Sequence, residues 1–156
     1  MKNIFGLTRE DLEEYFLSIG EKKFKALQVF EWLYIHKKWD INEFSNIKKD
    51  IQNKLSEDFS TDFIKIEIVE EGPLVKKFLF RLLDGEKIEA VLMEHDYGLS
   101  VCVSSQVGCN MGCRFCESGR LKKVRNLETY EIVEQILLIE KYIGKRIDSV
   151  VMMGIG

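Results

Sequence analysis

The chain has 156 residues, of which 46% are apolar and 31% charged, with a formal net charge of −3. These are ordinary globular values, no apolar run approaches the length of a membrane span, and the slightly acidic balance excludes a chain held to nucleic acid by net charge alone. Met1-Lys2-Asn3 opens no apolar signal region, and the four cysteines fit a reducing compartment better than a disulfide framework, so we expect a cytoplasmic protein.

Residues 1–61 read as a small helical domain. Thr8-x-x-Asp11 is placed to cap a helix carrying Leu12, Tyr15, Phe16 and Ile19, with Gly20 at its end. A second helix, about 23–38, presents Phe24, Leu27, Phe30, Leu33 and Tyr34. A third repeats every fourth residue at Ile47, Ile51, Leu55 and Phe59. Between them stand Lys22, Lys23, Lys25, Lys37, Lys38, Lys48, Lys49 and Lys54, which suit either RNA phosphates or plain solvent.

Residues 62–98 read as a β linker. Ile64, Ile66 and Ile68 alternate with Lys65, Glu67 and Val69 as on a half-buried strand. Pro73, the only proline, lies in the turn that follows. Strands at 75–83 and 87–93 are joined across Asp84-Gly85, a strong hairpin pair.

From residue 99 the pattern becomes strand, loop, helix, strand: 99–104, a cysteine-bearing loop, 130–143 and 149–155. Thr129 is the expected N-cap; Ile132, Ile136, Ile139 and Ile143 share one helix face, and Gly144 stops the helix. An all-apolar second strand implies parallel pairing through a right-handed crossover. The fold class is α/β, with residues 99–156 as the start of a (β/α) barrel, truncated after its second strand. A whole barrel takes roughly 200 residues or more, so we expect the N-terminal part of a longer protein, inactive as it stands.

The loop holds the decisive motif. Cys109, Cys113 and Cys116 follow C-x3-C-x2-C, and three thiolates leave one iron of a four-iron cluster open to a small molecule. Ferredoxin-type carriers close all four corners, and structural zinc sites need a fourth Cys or His. Cys102 has the wrong spacing for that, and His36 and His95 lie far off in sequence.

With Phe115 before the last cysteine, this motif resembles the signature of the radical S-adenosylmethionine (SAM) superfamily. Residues 88–93 (Ile-Glu-Ala-Val-Leu-Met), 100–109 (Ser-Val-Cys-Val-Ser-Ser-Gln-Val-Gly-Cys), Arg125-Asn126-Leu127, Glu131-Ile132-Val133 with Gln135, and Met152-Met153-Gly154-Ile155-Gly156 resemble the RlmN/Cfr family of RNA methyltransferases. The resemblance implies an enzyme that methylates carbon 2 of adenosine in 23S rRNA and some tRNAs, through a methyl-cysteine and a 5′-deoxyadenosyl radical. The alternatives are Cfr-like methylation at carbon 8 and a non-catalytic remnant that binds only RNA or a cluster. The implied cofactors are a 4Fe-4S cluster on Cys109, Cys113 and Cys116 and SAM, with Phe115, Gly154 and Gly156 as its contacts. The implied partners are 23S rRNA, tRNA and a reducing donor such as flavodoxin or ferredoxin, with no membrane.

Two further residues take their roles from the resemblance. On its own pattern Cys102 is a small buried hydrophobe; in the family this position resolves a protein–RNA adduct by forming a disulfide with a distal methyl-carrying cysteine, which would lie beyond residue 156. Glu89 reads by itself as solvent-facing; in the family it is the proton acceptor, a role that needs partial desolvation. Arg114, Arg120, Lys122, Lys123 and Arg125 form a basic run that suits RNA phosphates, an anionic cluster or an ordinary exposed loop. Glu117 stands where the family carries a small residue.

Overall fold

The structure, a computed structural model, describes residues 2–107 and 125–153. The chain divides into two compact units, Met1–Asp62 and Phe63–Gly156.

In the first unit, helix α1 (Arg9–Ser18) starts with the expected capping box: Asp11 N–H donates to Thr8 Oγ1 at 3.1 Å and Thr8 N–H to Asp11 Oδ2 at 2.9 Å. The Asp11 carboxylate sits below its usual pKa because the Thr8 backbone and hydroxyl hydrogen-bond to it. Gly20, at φ +81°, and Glu21 close the helix by donating to Leu17 and Phe16 carbonyls, a left-handed C-terminal cap. Helix α2 (Phe24–Phe30) runs on as a π-helical turn over Glu31–Ile35.

The buried stripe of α2 is Ala26, Val29 and Leu33. The sequence pattern had placed Phe24 and Leu27 inward, yet they are 53% and 41% exposed. Both sets keep helical spacing, and packing selects the smaller side chains. Helix α3 (Lys49–Asp58) buries Ile51 and Leu55, while Ile47 before it and Phe59 after it extend the same apolar line as expected. Short parallel strands β1 (Lys2–Asn3) and β2 (Phe59–Ser60) join the ends of the unit.

Among the described residues the second unit holds a five-stranded sheet, a two-stranded sheet and a helix. The strands of the larger sheet are β3 (Lys65–Glu71), β4 (Val75–Arg81), β5 (Lys87–His95), β6 (Gly98–Ser104) and β9 (Ser149–Met153), adjacent in that order. The first four pair antiparallel; β9 joins β6 in parallel, as the apolar pattern implied. Between β6 and β9 the chain forms β7 (Gln106–Val107), β8 (Arg125–Asn126) and helix α4 (Thr129–Ile143). The strands of the expected linker therefore share one sheet with the strand that opens the barrel-like segment.

Phe78, Phe80, Ile88, Ala90, Leu92, Val101 and Val103 line one sheet face and cluster with Ile139 of α4. The N-cap of α4 is Glu128 rather than Thr129: Glu128 N–H donates to Glu131 Oε1 at 2.8 Å, and the Glu128 side chain accepts from the third helical residue. A carboxylate fills the capping role of a hydroxyl and also suits the positive end of the helix dipole. Ile68 is a second correction. A bulge between Ile66 and Ile68 advances the alternation by one, leaving Ile68 52% exposed and packing Val69 on the core.

The parallel pair is locked at its start. Leu99 N–H donates to Asp148 Oδ2 at 2.8 Å and Asp148 N–H to the Leu99 carbonyl at 2.9 Å, while Gly98 turns beside them at φ +137°. A Cβ at position 98 would overlap the Asp148 carboxylate, which cannot swing away without losing Leu99, and the backbone angle itself resists a side chain. Gly98→Ala should therefore destabilise the chain by about 2 kcal/mol, read as a lowered urea midpoint, with Gly85→Ala on the exposed hairpin as the milder comparison.

Candidate functional site

Strand alternation sorts β5 and β6 into two faces. Ile88, Ala90, Leu92, Val101 and Val103 point to the α4 side; Glu89, Val91, Met93, Ser100, Cys102 and Ser104 occupy the other. The register places Lys77, Val91, Cys102 and Val151 in one row across four strands. Glu89 lies two residues along β5 from Val91, so Glu89 and Cys102 are diagonal neighbours on one face. The sheet thus brings together the two residues that the sequence marked as catalytic.

Cys102 is a free, half-buried thiol. The Glu89 side chain is 49% exposed and lies 3.4 Å from Lys77 Nζ. An ion pair that open contributes about 0–1 kcal/mol and does not hold either side chain in place; the strand register does. Ser104 Oγ donates to the Glu89 carbonyl at 2.5 Å and ties the strands at this point. The face has a small depression of about 60 Å³ lined by Ile68, Glu70, Lys77, Leu79 and Glu89. A larger groove of about 260 Å³, lined by Leu74, Leu99 and Tyr142 among others, lies at the opposite end of β6 from the cysteine loop. Sheets with parallel crossovers bind ligands at strand C-termini, so the open face near Cys102 is the better site.

Residues 108–124 connect β7 to β8, and the two strands pair antiparallel as Gln106 with Asn126 and Val107 with Arg125. Arg125 then makes a two-pronged contact with Glu131 on α4, Nη1–Oε1 and Nη2–Oε2 both at 2.7 Å, and reaches Asp84 Oδ2 at 3.0 Å through Nη2. Glu131 is 1% exposed. Leaving such a carboxylate unpaired costs about 3–5 kcal/mol, whereas the more open Asp84 contact is worth about 0–1 kcal/mol, so Glu131 is the dominant anchor. Glu131 and Asp84 raise the Arg125 pKa, and the Asp84 carboxyl is lowered by the Glu86 backbone hydrogen bond and by Arg125.

Gln135 completes the stem. Its side-chain amide accepts from Ser104 N–H at 3.0 Å and donates to the Ser104 carbonyl at 3.0 Å, so a fully buried glutamine bonds the end of β6 as a neighbouring strand would. Leu127 N–H donates to the Ser105 carbonyl at 2.9 Å. Sequence reasoning had placed Arg125 in a basic run facing RNA or a cluster, with exposed loop as the alternative; its charge is instead neutralised inside the protein. The signal available was Glu at 128 and 131, a carboxylate capping box beside an arginine.

Cys109, Cys113, Cys116, Phe115, Gly154 and Gly156 lie outside the described residues, as do Arg114, Glu117, Arg120, Lys122 and Lys123. Among the described residues no three or more His, Cys, Asp or Glu are grouped to hold a metal. Three thiolates are a donor set whose chemistry suits iron. In the first unit Lys22, Lys23, Lys38, Lys48 and Lys49 are exposed, and Lys54 pairs with Asp58 at 3.4 Å. Among the described residues no helix is long and apolar enough to cross a membrane.

Glu89 and Cys102 thus share one face of the sheet, and residues 108–124, with the three cysteines, follow β6 and β7 in sequence. The fold matches the crystal structure of a radical SAM methyltransferase from Sphaerobacter thermophilus with a TM-score of 0.85 and 31% identity, covering 100% of this chain and 47% of that one. Residues 2–60 match the ribosomal RNA large subunit methyltransferase N-terminal domain. Over 99% of its length the chain is 50% identical to the "Probable dual-specificity RNA methyltransferase RlmN" of Enterococcus faecalis, covering 45% of that protein. Against the protein of the same name from Spiroplasma citri it is 45% identical, with 100% of this chain and 46% of the relative covered. The chain is thus similar to an N-terminal portion of these proteins and spans less than half of their length.

Tyr130, beside Glu131 at the loop stem, has its phenol pushed up to about 12 by burial and by Glu131 and Glu128. A raised pKa means that the stability is complete below the ordinary tyrosine value of 10 and is lost as pH climbs toward 12. Tyr130→Phe should therefore flatten the alkaline fall in urea midpoint over that window and leave it unchanged at pH 7.

Proposed function

We propose that this chain is the N-terminal portion of a radical SAM RNA methyltransferase that methylates carbon 2 of adenosine in 23S rRNA and in some tRNAs, in the cytoplasm. The observation that carries the reading is the register that sets Glu89 and Cys102 diagonally on one open face, on the strand pair that leads in sequence to the three-cysteine segment. In this reading residues 1–61 are an accessory RNA-binding domain, 62–98 a β linker and 99–156 the beginning of the catalytic barrel. Cys109, Cys113 and Cys116 hold a 4Fe-4S cluster, and Phe115, Gly154 and Gly156 contact SAM. The loaded cluster and SAM, with an electron from a flavodoxin- or ferredoxin-type donor, supply radical chemistry at a carbon that is too poor a nucleophile for direct displacement.

The chain's own residues handle what remains. Glu89 accepts the proton from the adenine carbon. Its carboxylate is half exposed, so the desolvation that suits a base comes from the RNA that covers the face. Cys102, held on β6 beside it, resolves the protein–RNA adduct: its thiolate attacks the sulfur of the methyl-carrying cysteine, the sulfur–carbon bond breaks as the disulfide forms, and the electron pair leaves with the base's new methylene carbon, which takes up a proton. Lys22, Lys23, Lys38, Lys48 and Lys49, exposed on the first unit, supply phosphate contacts.

Anaerobic reconstitution with ferrous iron and sulfide tests the reading. Cys109→Ala, Cys113→Ala and Cys116→Ala should each abolish iron binding and SAM cleavage. Glu89→Gln and Cys102→Ser should keep iron and, in the full-length protein, lower 2-methyladenosine formation by at least about 100-fold. Zinc in place of iron would overturn the reading. Methylation at carbon 8 would replace the carbon 2 assignment, and a chain that takes up no iron would be the non-catalytic remnant.

A further inference from the structure

We infer that Arg125 is a positioning residue for the cluster: by joining β8 to α4 and to the β4–β5 hairpin, it closes the base of the loop that bears Cys109, Cys113 and Cys116. The inference rests on the cluster reading proposed above, and the geometry that carries it is independent of that reading. Both ends of the segment 108–124 are tied to one helix. The leaving end is held where Gln135 bonds both backbone groups of Ser104, and the returning end where Arg125 grips Glu131 at 2.7 Å through two prongs. Between them, β7 pairs with β8 and Leu127 bonds the Ser105 carbonyl.

Neither contact is needed to continue a strand or a helix. Both bury a polar side chain, which is tolerated only where every prong finds a partner. Gln135 and Glu131 are one helical turn apart, so a single helix face sets the separation of the loop ends. Three thiolates that must meet one cluster lose less freedom when their loop is already closed at its base. Arginine suits this post because its fork matches both carboxylate oxygens and does not lose its proton; lysine offers only a point charge.

The test uses the 156-residue chain, reconstituted anaerobically with ferrous iron and sulfide, and counts iron and acid-labile sulfide per folded chain. Arg125→Ala removes the clamp, Arg125→Lys keeps the charge without the fork, and Asp84→Asn loosens only the exposed arm and should fold normally. Ile139→Val, buried in α4 away from the stem, is the control for lost stability. We expect about tenfold weaker iron loading for Arg125→Ala, partial recovery for Arg125→Lys, a small loss for Asp84→Asn and none for Ile139→Val. In the iron-free chain the Leu127 amide should exchange about tenfold faster in Arg125→Lys, with the β4 and β5 amides unchanged. Iron loading by Arg125→Lys and Asp84→Asn equal to wild type, with an unchanged Leu127 amide, would overturn the inference. A wild-type chain that takes up no iron would remove the cluster reading and the inference with it, a distinct result because the amide exchange would still report the clamp.

Discussion

The pairing of β5 with β6 is the constraint on which the site depends. Because side chains alternate, one register sends Ile88, Ala90, Leu92, Val101 and Val103 to the core and leaves Glu89 and Cys102 together on the other face. A slip of one residue would turn over one of the two strands, burying Glu89 and exposing Ile88, Ala90 and Leu92, or burying Cys102 and exposing Val101 and Val103. Each of those buried side chains is worth about 1.5–3 kcal/mol (Ala90 less), against about 0–1 kcal/mol for the Lys77–Glu89 pair. The apolar face therefore determines where the chemistry lies. The polar face is free to be shaped by reaction rather than by stability.

Helix α4 serves both sides of this arrangement. Its apolar residues Leu137 and Ile139 complete the core, while Glu131, Glu134 and Gln135, all buried, form a polar stripe that addresses backbone at strand ends. Glu134 Oε1 accepts from Ile64 N–H at 2.9 Å just before β3, Gln135 bonds Ser104 at the end of β6, and Glu131 receives Arg125 after β8. Three strand ends that would otherwise need water are met by one helix turn. The cost of burying these groups is offset by bonds to backbone amides and to a guanidinium, which also fix where the loop of residues 108–124 begins and ends.

Signals that are local were legible in the sequence. The Thr8–Asp11 box, the glycines that end α1 and α4, the Asp84-Gly85 turn and the parallel β6–β9 pair each follow from residues close together or from one apolar run. What escaped depends on distant partners. The bulge that turns Ile68 outward is set by pairing with β4, and the choice of Ala26 and Val29 over Phe24 and Leu27 is made by what α2 packs against. The Arg125–Glu131 clamp was hidden by composition: an arginine in a basic run and a glutamate on a helix both read as surface until α4 is seen to bury the carboxylate. Glu89 and Cys102 were named through family resemblance, since a strand glutamate and a strand cysteine have no signature of their own. Only the register shows that they are neighbours.

Neutralising Arg125 also changes how charge is divided in the protein. Its positive charge is met by Glu131 and Asp84, so the unassigned charge of the basic run is that of Arg114, Arg120, Lys122 and Lys123. The exposed lysines of the first unit are set apart from that run in sequence by β3 to β7, and the net charge of −3 gives no general attraction to a polyanion. The open face carrying Glu89 and Cys102 also carries Lys77, Arg81 and Lys87, of which Lys77 pairs with Glu89 and the other two with Glu67. Opposite charges on this face thus meet one another, and the half-buried Cys102 thiol lies on a face whose cations are paired.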